Sequence, residues 1–407
     1  MSSRYLFLVA TSSWFLAFGM QSVVFAWLVT MVLRQPAELV GLAQTALLLP
    51  GMLLMLVAGV VADRMGADRQ AMWAQSLAAV VPWVLIAALY FGFFSYEMML
   101  VFALLMGAAQ AFVTPARDGL LNHVAGSKVQ HTVLLASLCQ FSFQIVGYGI
   151  AGFAELAGPL PILIVQSVML TVGGVAFAMI RRSNPVVVHK EEKPAVVAGL
   201  VQGAKTVWAS SVMRVAVIQN VAMACFFMGS FIVCFPLVIR EVFDGSSQDL
   251  AVLSAFNSAG LVASILVMLK VGYVARPGRA LILAQFLGAI ALLAGGLSTN
   301  FAWFVFAIFC WGVCGGVAIP MSRTLMQEIA PANQRSRVMS FYAFSFMGAG
   351  PLGTLLAGYL AGLIGPKQAI VINAIAMAVV VIIIVATTKM WSVQFTGHPM
   401  HASESDK

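Results

Sequence analysis

The sequence predicts an all-α membrane protein in which twelve transmembrane helices form two pseudo-symmetric six-helix bundles. Three observations support this fold class. They are the composition, the number of long apolar runs, and a repeat at half the chain length.

The composition excludes a water-soluble globule. Of 407 residues, 61% are hydrophobic and 9% are charged, whereas about 25% are charged in ordinary soluble domains. The mean hydropathy is +0.98, and a chain of this size has too few polar side chains to cover such a surface. The five cysteines all fall in apolar runs, so no extracellular disulfide framework is expected.

Apolar stretches of about eighteen or more residues predict membrane-spanning helices. The sequence contains twelve such stretches, at 5–33, 38–62, 70–92, 96–116, 130–154, 159–180, 211–239, 250–271, 279–298, 301–322, 335–363 and 367–389. Transmembrane strands would instead alternate over about ten residues. The first stretch is too long for a signal-peptide core and lacks a small-residue cleavage site, so we expect it to remain in the mature protein.

The distribution of basic residues predicts the orientation. With the N-terminus in the cytoplasm, 19 of the 22 Lys and Arg residues lie on the cytoplasmic side and 3 on the other, as the positive-inside rule requires. Acidic residues divide 8 to 6, giving +11 inside and −3 outside, which sums to the net charge of +8. The basic balance is therefore topological and does not indicate nucleic-acid binding. We expect a multi-pass protein of the cell inner (plasma) membrane with both termini in the cytoplasm.

A polar interruption divides the chain into halves. Residues 1–182 are predicted as the N-terminal bundle, 183–210 as a cytoplasmic linker, 211–390 as the C-terminal bundle, and 391–407 as a cytoplasmic tail. Within the linker, apolar residues from Val197 to Trp208 recur at helical spacing, which predicts an amphipathic helix on the membrane surface.

The two halves repeat each other. Gly107 and Pro115 near the end of the fourth helix match Gly312 and Pro320 near the end of the tenth, at an offset of 205. The tripeptides Phe-Ser-Phe at 141–143 and 344–346 also correspond. Internal repeats of this kind are typical of secondary transporters, whose substrate site lies at the repeat interface.

The loop between the second and third helices carries the most specific motif, Gly59-Val-Val-Ala-Asp63-Arg64-Met-Gly66 followed by Arg69. It resembles the loop signature of the major facilitator superfamily, from which it departs at Ala67 and Asp68, where the family usually has basic residues. The resemblance implies two halves that rock about a central cavity, and a cytoplasmic gate. We assign to that gate Gly59, Asp63, Arg64, Gly66, Arg69, Arg117, Arg323 and Arg337, with Asp63 near Arg117 and the start of helix eleven when that side is closed.

Two further segments narrow the resemblance. Thr114-Pro-Ala-Arg117, and Gln327-Glu-Ile-Ala-Pro331 with the glycines from Gly350 to Gly358, look like the enterobactin-exporter and macrolide-efflux branch. Two features common in proton-coupled drug exporters are missing, because helix four has no arginine before Gly107 and helix five lacks the antiporter proline.

Amides and aromatics form stripes on helices that line the cavity in this fold. The predicted cavity residues are Gln21, Phe25, Gln110, Gln140, Gln144, Asn220, Phe227, Asn257 and Ser258. The alternative for each polar member is an interhelical hydrogen bond, worth about 0.6 kcal/mol.

Ionisable groups inside a bilayer indicate function because they are costly to place there. No charged residue lies at the centre of a predicted span; Glu155, at the outer end of helix five, is the candidate coupling carboxylate, with an interfacial charge as the alternative. Cys310 and Cys314 lack further ligands for a metal, and no catalytic set or phosphate-binding loop occurs. We therefore expect no metal, no cofactor and no enzymatic activity.

The function predicted is secondary active transport of an amphipathic or lipophilic small molecule by alternating access. The resemblance favours efflux, with protons as the coupling ion, hence an antiporter. Uptake or lysolipid transport is the alternative within transport, and a non-transporting membrane sensor is the alternative from another class. The expected partners are the solute, protons and membrane lipid, with no nucleic acid, and the protein is expected to be a monomer.

Overall fold

The computed structural model describes residues 3–125, 129–183, 185, 196–271, 274–331 and 334–393, and these residues are predominantly helical. Eleven spans among them are long and apolar enough to cross a membrane, and α6 occupies the remaining predicted position. The predicted fold class is confirmed. The helices are α1 Ser3–Trp27, α2 Ala37–Met65, α3 Ala67–Val80, α4 Pro82–Tyr90, α5 Tyr96–Ala125, α6 Val129–Gly152, α7 Ala154–Ala157, α8 Pro159–Ser183, α9 Val196–Ala209, α10 Ser211–Ala222, α11 Phe235–Glu241, α12 Ser247–Val271, α13 Pro277–Gly296, α14 Phe301–Ile329, α15 Arg335–Ile364 and α16 Pro366–Thr387.

Three spans depart from a continuous α-helix. The third consists of α3 and α4, which meet at Pro82, because proline has no backbone N–H to continue the hydrogen-bond ladder. The first ends in a π-helical segment, Leu28–Val32. The seventh, between α10 and α11, contains two such segments, Met223–Met228 and Ser230–Cys234. Segments of this kind are frequent at functional sites.

The half-length repeat is visible in the helix packing. A Cβ atom added to Gly107 would lie 2.2 Å from the carbonyl oxygen of Leu47, and one added to Gly312 would lie 2.2 Å from the carbonyl oxygen of Asn257. In each half, therefore, a glycine lets the fourth helix touch the backbone of the second. The two glycines that correspond in sequence, Gly107 and Gly312, therefore make the same helix–helix contact in both halves.

Buried amides provide a second sign of duplication. In each half, one side-chain hydrogen bond joins the first helix to the third and another joins the first helix to the sixth. The bonds are Gln75 Nε2 to Ser13 Oγ (3.3 Å), Gln219 Nε2 to Gln285 Oε1 (2.7 Å), Gln166 Nε2 to Gln21 Oε1 (3.2 Å) and Asn373 Nδ2 to Ser230 Oγ (2.9 Å). Because a polar group in an apolar environment needs a partner, these bonds fix the helices of each bundle to one another.

The two bundles meet closely at the end where α2 begins and α15 ends, which we call the closed end. There Thr45 Oγ1 lies 2.8 Å from Thr354 Oγ1. Ser247 Oγ donates to the carbonyl of Gly152 at 2.9 Å, which joins α12 to α6. The other end, which carries Gly66 and the motif arginines, we call the basic end.

Arg240 adds a charged contact at the closed end. Its Nη1 donates to the carbonyl oxygens of Thr30 at 3.0 Å and Gln35 at 2.6 Å. These carbonyls lie at and just beyond the π-helical end of the first span, where helical carbonyls have no continuing N–H partner. A side chain of the second bundle therefore caps a helix end of the first.

The linker contains helix α9, which packs on the start of α15. Gly203 faces the carbonyl oxygen of Arg337, and the rings of Trp208 and Phe341 are 6.1 Å apart. Val201 and Trp208 remain 50% and 53% exposed. The predicted amphipathic helix thus packs against α15 on one side and keeps apolar side chains exposed on another. Most of the linker before α9, and the tail after residue 393, lie outside the described residues.

Candidate substrate cavity and gate

A cavity of about 150 Å³ lies between the bundles, towards the closed end. Four predicted residues line it: Gln21, Phe25, Gln110 and Gln144. They come from α1, α5 and α6, whose residues are separated by up to 123 positions in sequence. The polar lining also includes Ser22, Gln44, Tyr148 and Ser254.

A second cavity, of about 240 Å³, lies against the second bundle. Its lining contains the predicted residues Gln144, Phe227, Asn257 and Ser258. Gln144, Tyr148 and Phe231 line both cavities, so the two are neighbouring parts of one region between the bundles.

A cluster of aromatic rings forms part of the second-bundle wall. The ring of Trp311 lies 5.7 Å from Phe227, 5.9 Å from Phe231 and 5.8 Å from Phe235, measured between centroids. Phe227 and Phe235 meet Trp311 edge to face, at interplanar angles of 85° and 71°. These are favourable aromatic arrangements, and they hold Trp311 in place while it remains half-buried.

The cavity lining is electrically neutral. No Asp, Glu, Lys, Arg or His is among the residues that line the two cavities. Gln144 Nε2 donates to the Tyr148 hydroxyl at 2.6 Å, and that hydroxyl also faces Ser22 and Ser258. Since Tyr148 belongs to the first bundle and Ser258 to the second, this cluster spans the interface between them.

Two predicted cavity residues lie elsewhere. Asn220 is 5% exposed, and its Nδ2 donates to Tyr342 O and Ser345 Oγ, both at 3.0 Å. It therefore makes the interhelical bond that was the alternative for these stripes. Gln140 is half-buried and is not among the lining residues of either cavity.

The sequence stripes missed several lining residues. Gln44 has no polar residue three or four positions away on α2, so no helical spacing marked it. Trp311 lies in an aromatic-rich helix, where composition does not distinguish a cavity wall from a lipid-facing ring. A lone amide in an apolar span is itself a usable signal, because burying it without a partner is costly.

The motif glycines have different surroundings. Gly66 has φ +92°, a conformation that L side chains rarely adopt, and it turns the chain sharply from α2 into α3. Gly59 has no atom within 4 Å of where its Cβ would lie. The close helix contact that a glycine allows is therefore not made at Gly59 in this conformation.

The predicted gate arginines lie apart. Arg64, Arg69 and Arg323 are exposed. Arg337 donates to Gln202 Oε1 of the linker helix. The Arg117 guanidinium lies 4.7 Å from the centroid of the Phe15 ring and 3.9 Å from the Asp118 carboxylate, a cation–π arrangement at the basic end of α5. The Asp63 side chain lies outside the described residues, so its predicted contact stays a prediction.

Glu155 lies on the short helix α7 at the closed end. Its side chain is exposed, and its backbone N–H donates to Ser247 Oγ at 3.1 Å. The carboxylate is therefore outside the cavity in this conformation, which matches the interfacial alternative. The described residues contain no group of three or more His, Cys, Asp or Glu that could hold a metal ion, and all five cysteines are free thiols.

Sequence comparison identifies the family. Residues 7–354 and 276–397 match the sequence profile of the Major Facilitator Superfamily. The chain belongs to the Major Facilitator Superfamily. Among characterised proteins, it is 28% identical over 365 residues to the multidrug efflux pump Tap of Mycolicibacterium fortuitum, covering 85% of this chain and 86% of that protein.

Solved structures agree on the fold. A variant of the nucleoside transporter NupG superposes with a TM-score of 0.76 at 12% identity, over 94% of this chain and 99% of that one. An inward-facing, unoccupied bacterial homologue of the human lysosomal transporter Spinster gives a TM-score of 0.64 at 15% identity, over 96% of each chain. At these identities the likeness concerns the fold alone. The chain is thus a membrane transporter-family protein with a neutral cavity between its bundles.

Proposed function

We propose that this protein is a secondary active exporter that carries an amphipathic or lipophilic small molecule across the inner membrane by alternating access, in exchange for protons. The observation that carries the proposal is a neutral cavity lined from both bundles, closed at one end by inter-bundle hydrogen bonds. Such a site suits a solute that is itself uncharged over most of its surface.

The orientation expected from the positive-inside rule makes the basic end cytoplasmic. In that orientation, the closed end faces outwards and the conformation is ready to load solute from the cytoplasm or the inner leaflet. The similarity to a multidrug efflux pump supports export. Rocking of one bundle against the other would then expose the same cavity to the outside.

An efflux measurement tests direction and coupling together. Cells producing the protein are loaded with the neutral dye Nile red without an energy source, and glucose is then added. We expect faster loss of dye than from cells with an empty vector, and a protonophore should abolish the difference. Faster dye entry would indicate uptake, and no difference in either direction would contradict a transporter of lipophilic solutes.

The predicted gate supplies the control variant. Asp63→Asn removes the carboxylate expected to engage the start of α15 when the basic end closes, where a helix N-terminus favours an anion by about 0.3–1 kcal/mol. We expect slower efflux with the same amount of monodisperse protein in the membrane. Wild-type efflux from this variant would contradict a gate built on Asp63.

A further inference from the structure

The cavity has two chemically different walls, and this difference bears on the substrate class of the exporter proposed above. The first bundle contributes amides: Gln21 from α1, Gln44 from α2, Gln110 from α5 and Gln144 from α6. The second bundle contributes a cluster of aromatic rings around Trp311, and its lining residue Asn257 already donates to the carbonyl oxygen of Ile308. A solute between the bundles therefore meets four amides on the first-bundle side and the Trp311 ring cluster on the second-bundle side.

Two of the amides have hydrogen-bonding capacity left unused. Gln44 is 4% exposed and Gln110 is half-buried, yet neither side chain bonds to another described residue. By contrast, Gln21 accepts from Gln166 and Gln144 donates to Tyr148. Both side chains line the first cavity, and neither contributes a fully enclosed polar atom without a partner. Their amides are therefore open to the cavity, and a molecule bound there can take up their hydrogen bonds.

Each glutamine amide can both donate and accept. The matching group on a solute is therefore a neutral one with a donor and an acceptor close together, such as an amide, a lactam or a urea. A carboxylate offers no donor and an ammonium offers no acceptor. The neutral lining also provides no counter-ion for either charge, and an unpaired charge in an apolar cavity is costly.

The aromatic wall selects the rest of the solute. Phe227, Phe231 and Phe235 surround the half-buried Trp311 at centroid separations of 5.7 to 5.9 Å, so the wall is a preformed ring cluster. Flat apolar groups stack on such surfaces or meet them edge to face. The geometry points to a neutral solute with an amide-like head and a flat apolar body, held in one orientation: head on Gln44 and Gln110, body on the Trp311 cluster.

A series of naphthalene probes tests this orientation, using the purified full-length protein in lipid nanodiscs. The probes are 2-naphthamide, methyl 2-naphthoate and 2-naphthyltrimethylammonium, which share one ring system and differ in the head group. We expect 2-naphthamide to bind about tenfold more tightly than the ester, the size of one hydrogen bond lost in a buried site. The cation should bind more weakly than the amide.

Variants test which wall binds the head group and which binds the ring system. In Gln44→Leu/Gln110→Leu, the preference for the amide over the ester should disappear while ester binding persists, which also shows that the variant is folded. Trp311→Ala should weaken both neutral probes by a similar factor. Gln327→Leu, which changes an exposed amide outside both cavities, should leave all affinities unchanged. Tightest binding of the cation, or equal loss of all probes in the double variant, would overturn the assignment.

The binding measurements test the solute assignment separately from the exporter proposal. Binding in nanodiscs requires no gradient and no direction of transport. If the amide preference and its loss in the double variant are observed but cells export neither Nile red nor 2-naphthamide, the exporter proposal is wrong and the solute assignment stands. If efflux is observed but the probes bind without regard to head group, the solute assignment is wrong and the exporter proposal stands.

Discussion

The close approach of α2 and α15 makes the closed end sensitive to a single methyl group. A Cβ atom added to Gly41 would lie 2.8 Å from the carbonyl oxygen of Thr354 and 2.9 Å from the Cα of Gly358. Both are backbone atoms, so no side-chain rotation relieves the overlap and the helices must separate. Gly41→Ala should therefore destabilise the closed end.

The magnitude follows from the cost of overpacking, which is about 1–3 kcal/mol. A change of this size alters the ratio of two conformations by about 5- to 150-fold. The added methyl group has no such overlap once α2 and α15 move apart. We therefore expect Gly41→Ala to shift the population towards conformations open at this end.

A spin-label distance across the closed end measures the shift. Leu156 and Leu363 are 74% and 62% exposed and belong to different bundles, so labelled cysteines there, with the native cysteines replaced, report their separation. Gly41→Ala should transfer population from the short to the long distance. Gly149→Ala is the matched control, because no atom lies within 4 Å of its Cβ position. An unchanged distance distribution in Gly41→Ala would refute the steric reasoning.

Gly59 lies on the same helix as Gly41 and allows a prediction of opposite sign. Its Cβ position is empty here, and a glycine at this point lets another helix approach closely when the basic end closes. Gly59→Ala should therefore favour the short closed-end distance, and a longer distance would contradict this. Arg240→Ala should lengthen the same distance by removing the charge-assisted bonds to Thr30 O and Gln35 O, worth about 1.5–3 kcal/mol; no change would show that the contact is incidental. Gly66→Ala places a side chain at φ +92° and ψ 137°, a sparsely populated conformation that costs about 1–3 kcal/mol, so the variant should unfold at a lower temperature than wild type in a thermal scan. Gln144→Leu should change the preference between two dissimilar solutes, whereas Gln140→Leu should not, and the reverse result in a flux assay would return Gln140 to the cavity.

Hydropathy located the spans well because the bilayer sets the length of each span. The predicted stretch 335–363 agrees closely with α15, Arg335–Ile364, and 211–239 with the span Ser211–Glu241. The π-helical segments inside the seventh span were not predicted, since a change from i+4 to i+5 hydrogen bonding leaves no mark in composition. The join between α3 and α4 was not predicted either, since 70–92 was taken as one span, although Pro82 marks the join in the sequence.

The site was predicted less completely than the fold. Helical spacing identifies the residues that share a face, but whether that face meets a cavity or a neighbouring helix depends on tertiary packing. Asn220 belongs to a polar stripe and yet bonds to α15. Gln44 has no polar partner at helical spacing and yet lines the cavity. The sequence also did not indicate which end of the bundle is closed, because hydropathy and helical spacing describe single spans and not the tilt of one bundle against the other.

Cross-linking the closed end during transport tests alternating access most directly. The Thr45 and Thr354 hydroxyls are 2.8 Å apart across the interface, so Thr45→Cys/Thr354→Cys in a chain without the native cysteines should form a disulfide on mild oxidation. In proteoliposomes with an imposed pH gradient, we predict that oxidation stops Nile red flux and that a reductant restores it, while the reduced protein and each single variant keep transporting. Undiminished flux through the fully cross-linked protein would contradict the account, because the closed end would then never need to open.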